Sequence, residues 1–94
     1  MPRLLNLDEV MAAMKRLYPE SERQAGHEGS VVIVIHVGTD GLVSKSDVAR
    51  AASPAFDAAA QKVGALMRFS PAIGLSGRPV PVRMPQEVRF KLTD

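Results

Sequence analysis

Few side chains in this sequence are of a type that does covalent or metal chemistry, and those few lack the companions such chemistry needs. His27 and His36 are the only histidines, and neither has partners at metal-ligand spacing. His36 stands next to last in the apolar run "SVVIVIHV", where it reads as a sheet-face residue. In "HEGSV", Glu28 and Gly29 read as a turn before that run. Ser53 has no histidine near it in the sequence to serve as a base. It precedes Pro54, which makes it a helix cap. Asp57 follows the same helix start, where the helix dipole favours a carboxylate. Met11, Met14, Met67 and Met84 fit core positions rather than a ligand set. Cysteine is absent, so there is neither thiolate nor disulfide. No enzyme activity, cofactor or metal is expected.

The chemistry left is that of the main chain. In "RPVPVRMPQEVRFKL", residues 78–92, apolar side chains fill the even positions from Val80 to Leu92, apart from Gln86. Pro79, Pro81, Arg83, Pro85, Glu87, Arg89 and Lys91 fill the odd ones. The alternation predicts a strand, and successive residues of a strand turn their N–H and C=O to opposite lateral borders. All three prolines then remove donors from one border only, which is where a sheet tolerates proline. One reading is protection of a free edge against aggregation. The other is an edge kept open for an extended peptide along the proline-free half, Gln86 to Leu92. Glu87, Arg89 and Lys91 would then offer backbone groups, with Arg83 before Pro85 and with Gln86, Val88 and Phe90 in the same stretch.

The elements that must position this strand follow from periodicity. "NLDEVMAAMKRLY" predicts an amphipathic helix, with Asn6 and Glu9 spaced as a capping box. Pro19 interrupts it, and "PESERQAG" predicts a short second piece ended by Gly26. "SVVIVIHV" predicts a central strand with Val31, Ile33, Ile35 and Val37 on one face and Val32, Val34 and His36 on the other. "GTDG" is a tight connection in which Gly38 and Gly41 can take positive φ. "LVSKSDVA" predicts a polar edge strand, and the differing parity of Val43 and Val48 predicts a bulge or bend. "SPAFDAAAQKVGALMRF" predicts the second main helix, stopped by Pro71. "AIGLSGR" reads as a glycine-rich loop. At 94 residues the chain is one domain, residues 1–94, with an additional helix over 1–17 and a core over 18–92. The helix, strand, strand, helix, strand pattern predicts an α+β fold. Its sheet is three-stranded and antiparallel in the order 2-1-3, since the proline-free strand belongs in the middle.

Nucleic acid is excluded as a partner. The net charge is only +2, charges are scattered, no GXXG loop joins two helices, and the strands offer no stacking aromatics. No apolar run approaches the length that crosses a membrane, and no membrane contact is expected of this segment.

"YPESERQAGHEGSVVIVIHVGTDGLV" carries Tyr18-Pro19, Arg23 four residues after the proline, Gly26 and Gly29, and alternating Val31, Ile33 and Val37. It closes on Asp40, Gly41 and Val43. "FDAAAQKVGALMRFSPA" supplies Phe56, Asp57, Ala59 and Ala60, with an exit of Arg68, Phe69, Pro71 and Ala72. "GRPVPV" then opens an apolar strand. In this order and spacing, from about Tyr18 to Leu92, the residues resemble the carboxy-terminal domain of the TonB family of energy transducers. The sequence departs from that family at Arg50, Ala51 and Ala52, where Ser-Ser-Gly is usual. It departs again at Glu22 and at Glu87, the family's later proline here being Pro85. The stretch before Tyr-Pro, which can help grip the receptor, is here Lys15, Arg16 and Leu17.

The resemblance implies a periplasmic module that binds the box peptide of a TonB-dependent outer-membrane receptor by strand addition. It would pass inner-membrane proton-motive force on as a mechanical pull. Inner-membrane proton-driven motor proteins would engage a region outside this segment, in a full-length protein anchored in the inner membrane. The alternative is a stand-alone or appended TonB-like interaction domain acting in dimerisation or signalling-complex assembly, with Val32, Val34 and His36 as the homodimer face.

Overall fold

Two periods of apolar residues sort the chain into helices and strands in the computed structural model, which describes residues 2–92. α1 (Leu7–Arg16) ends short of Pro19, and α2 (Glu20–Gln24) begins directly after it, because proline is tolerated only in the first turn of a helix. Gly26, at φ +73°, turns the chain out of α2 at no Cβ cost. Val10 and Ala13 of α1 are buried and the helix packs on α3 (Pro54–Leu66). Leu7 and Met11 of the same helix are exposed.

The expected capping box does not form, and Asn6 makes no side-chain cap bond to α1. Its Oδ1 accepts the Arg68 N–H at 2.9 Å, and its Nδ2 donates to the Leu66 carbonyl at 2.7 Å. These backbone groups at the end of α3 would otherwise lack partners, and leaving them unpaired costs more than an uncapped exposed helix start. Asn6 therefore ties the beginning of the chain to the exit of α3.

β1 (Gly29–Val37) lies between β2 (Val43–Arg50) and β5 (Val82–Phe90), antiparallel to both, in the order β2-β1-β5. With two main helices this is the α+β fold expected from the pattern of elements. Val31, Ile33, Ile35 and Val37 are fully buried and pack in one core with Phe56, Ala60 and Val63 of α3. Two register shifts in β2 bring Val48, Ser46 and Val43 opposite Ile33, Ile35 and Val37. The parity change between Val43 and Val48 is thus absorbed by a bulge. In the β1–β2 connection only Gly41 takes positive φ, at +82°; Gly38 does not.

α3 starts as expected, with the Ser53 hydroxyl accepting the Phe56 N–H at 3.2 Å and Pro54 first in the helix. It ends at Leu66, three residues before Phe69, and Pro71 is not what stops it. Met67 is already extended, at φ −67° and ψ 140°. The Phe69 N–H donates to the Gly41 carbonyl at 2.9 Å, and the Arg68 carbonyl accepts the Leu5 N–H at 2.8 Å. Extended partners on both sides outcompete further helix.

The glycine-rich loop contains a short ribbon, β3 (Ala72–Ile73) paired with β4 (Pro79–Val80). This corrects the expectation of one continuous strand from residue 78. Pro79 pairs with Ile73 in the ribbon, Pro81 sits in the break, and only Pro85 lies within β5. Lys91 and Leu92 lie past the end of β5, where the Leu92 N–H donates to Glu28 Oε2 at 2.7 Å.

Candidate functional site

Pro85 stands opposite Val34 inside an unbroken β1–β5 ladder. A residue with no N–H holds that place without breaking the ladder only if its main chain points away from β1. The Ser44 hydroxyl donates to the His36 carbonyl at 3.2 Å, so the even-numbered residues of β1 turn their main chain toward β2. Both observations give the same parity. Met84, Gln86, Val88 and Phe90 bond to β1, while Arg83, Glu87 and Arg89 turn N–H and C=O outward. Among the described residues no strand pairs with that border.

The side chains divide the same way. Val88 and Phe90 are buried at 2% and 1% exposure, with main chains committed to β1, so they support the edge and do not face a partner. Gln86 is half-buried, and Arg83, Glu87 and Arg89 are exposed. Glu87 accepts from the Ser30 hydroxyl at 2.9 Å and lies 3.9 Å from the Arg89 guanidinium. Lys91 is exposed just beyond the strand.

A three-ring cluster braces the carboxy-terminal end of this edge. Phe56 stacks on Phe90 with centroids 5.3 Å apart, and Tyr18 meets both rings edge-on at 5.7 and 5.8 Å. Such pairs add about 0.5–1.5 kcal/mol each beyond area burial. The Tyr18 hydroxyl donates to the His27 carbonyl, and burial pushes the phenol above its ordinary pKa, with Glu28 adding to the shift. Gly29, opposite Phe90, has no room for a Cβ, which would fall 2.7 Å from the Phe56 ring.

Beside the braced end, a cleft of about 370 Å³ opens between α1 and the last residues of the edge. Periodicity did not reveal it. Met11 and Met14 read as core positions; Met14 does pack against the core, but both line this cleft and Met11 is 52% exposed. The signal available was the width of the α1 stripe, which holds more apolar residues than one packing contact needs.

Val32, Val34 and His36 lie on the sheet face turned away from α3 and are half-buried. α1 packs on α3, so it does not fold over these valines. His36 Nε2 lies 3.0 Å from Asp47 Oδ2, which also lies 3.7 Å from the Lys45 ammonium. His27 Nδ1 lies 3.3 Å from Glu22. Among the described residues no group of three histidine or acidic side chains could hold a metal ion, and no helix is long and apolar enough to cross a membrane.

The opposite border of the sheet is poorly suited to accept a strand. β2 carries register shifts at both ends of its pairing and places Lys45, Asp47 and Arg50 on the outer face, the usual devices for blunting an edge. The β5 border has one blocked position, Pro85, followed by an unblocked run. The family model for the Gram-negative bacterial TonB protein C-terminal region matches residues 14–92. No curated protein matches the chain.

Proposed function

The chain belongs to the family of Gram-negative bacterial TonB C-terminal domains, and we propose that its β5 border binds the box peptide of an outer-membrane receptor by strand addition. Domains of this family are transport-associated protein-interaction modules of the periplasm. In this reading the chain works in the periplasm as the receptor-facing part of an energy transducer. Motor proteins driven by the proton gradient act through a region outside it, anchored in the inner membrane. The observation that carries the reading is the parity of β5, which leaves Arg83 before Pro85 and Glu87 and Arg89 after it with outward main chains.

Each backbone hydrogen bond contributes only about 0.5–1.5 kcal/mol net. The short border therefore binds weakly and releases readily, as a cycling transducer requires. Backbone recognition tolerates many side chains, and selectivity falls to what flanks the ladder. Titrating the isotopically labelled domain with a receptor box peptide tests this by nuclear magnetic resonance. Amide shifts and gained exchange protection are expected at Glu87 and Arg89, with little change along β2. Perturbation confined to β2 or to the helices would overturn the assignment.

A second reading rests on the outer face. Val32 and Val34, beside Pro85 of the neighbouring strand, form an apolar strip that none of the described helices covers. A homodimer joined there, serving assembly or signalling, is the alternative role.

A further inference from the structure

We propose that the β3–β4 ribbon is a membrane-touching finger, whose tip enters the headgroup layer of an anionic phospholipid surface. The proposal stands apart from strand addition and reverses the expectation of no membrane contact, which followed from spanning length alone. The tip is the stretch "GLSGR", residues 74–78. The Gly74 N–H donates to the Arg78 carbonyl at 2.8 Å, and the Gly77 N–H to the Gly74 carbonyl at 3.0 Å. Gly77 holds φ +82°, which completes a three-residue hairpin loop of Leu75, Ser76 and Gly77. Polar residues suit such a loop, yet Leu75 stands in it fully exposed, and Ile73 on the strand behind is 61% exposed. Leu75 thus contributes nothing to the packing of the fold that holds it out.

Charge and size together favour lipid as the occupant. No acidic residue lies between Asp57 and Glu87, whereas Lys62, Arg68, Arg78 and Arg83 do. Arg78 stands in the tip and Arg83 just past the ribbon. Arg3 is held at the ribbon's root, where its carbonyl accepts the Ser70 N–H at 2.9 Å and its N–H donates to Ser70 Oγ at 2.8 Å. All three arginines are exposed, and none forms an ion pair among the described residues. Asp40, in the β1–β2 connection, turns a carboxylate oxygen to the Leu42 N–H at 3.0 Å. A stable protein partner buries about 800 Å² on each side, far more than a turn with two apolar side chains offers. A bilayer surface has no shape to match. Apolar side chains settle at its headgroup boundary while cations beside them meet lipid phosphates.

The chain has no tryptophan, so Leu75→Trp places a single fluorescent reporter at the tip. Vesicles of phosphatidylcholine and phosphatidylglycerol in equal parts should shift its emission to the blue. Phosphatidylcholine vesicles alone, or soluble inorganic phosphate, should leave it unchanged. In co-sedimentation the unsubstituted chain should bind the mixed vesicles, and Leu75→Asp and Arg78→Glu should each weaken that binding about tenfold. Three results overturn the finger: no binding to mixed vesicles, an unshifted emission, or binding that survives both substitutions. Equal binding to neutral and mixed vesicles overturns it as well, because the arginines would then have no role. Leu75 and Arg78 are exposed, so an unchanged thermal melt separates lost docking from lost fold. Box-peptide affinity should be the same in every variant, which keeps this test independent of the β5 border.

Discussion

Gly64 shows how one residue sets the spacing on which the edge depends. It is buried in α3, and a Cβ there would fall 2.5 Å from Ile33 Cδ1 and 2.7 Å from the Ser46 hydroxyl. In an exposed helix, Gly→Ala stabilises by about 1 kcal/mol. Here the fully buried Ile33 and the Ser46 side chain must both shift to admit the methyl, and overpacking costs about 1–3 kcal/mol. Gly64→Ala is therefore expected to destabilise by about 1 kcal/mol, read as a lower midpoint in urea with an unchanged slope. Residues whose role is local were legible in the sequence: Ser53 and Pro54 start α3 as their types require. Gly64 and Asn6 were not, because each is defined by partners distant in the chain. Asn6 had a plausible local role, and two unpaired groups at the end of α3 claimed it instead.

At the scale of the element, β5 was legible because burial enforces a period of two, and Val82, Met84, Val88 and Phe90 obey it. The same rhythm misled at its start. Pro79 and Val80 continue the alternation while pairing with β3, so pattern alone could not show that one strand ends and another begins. Parity makes a paired prediction. Arg89→Pro removes a donor from the open border, so peptide binding should fall while circular dichroism and the melt change little. Val88→Pro removes a donor facing Val31 and a buried side chain. Losses of about 3 kcal/mol or more are expected, enough to unfold much of a marginal domain. Unfolding of both variants, or normal binding by both, would refute the assignment of borders.

For the molecule as a whole, strand order was legible because only one strand is free of proline and apolar on both faces. The cleft was not, since it arises from how α1 settles on α3. Whether the uncovered outer face pairs two copies is a question of mass. Sedimentation is expected to give a monomer if the β5 border alone is the working surface. A concentration-dependent dimer dispersed by Val34→Lys would establish the second reading.

The unequal borders of the sheet also limit how far it can grow. Because β2 is bent out of register at both ends and fringed with charge, a strand captured by β5 meets no matching surface on the far side of the next molecule. Two copies joined through β5 would enclose their receptive borders and present only β2 outward. Growth by edge pairing therefore terminates at a pair, and the open border adds no route to a fibril.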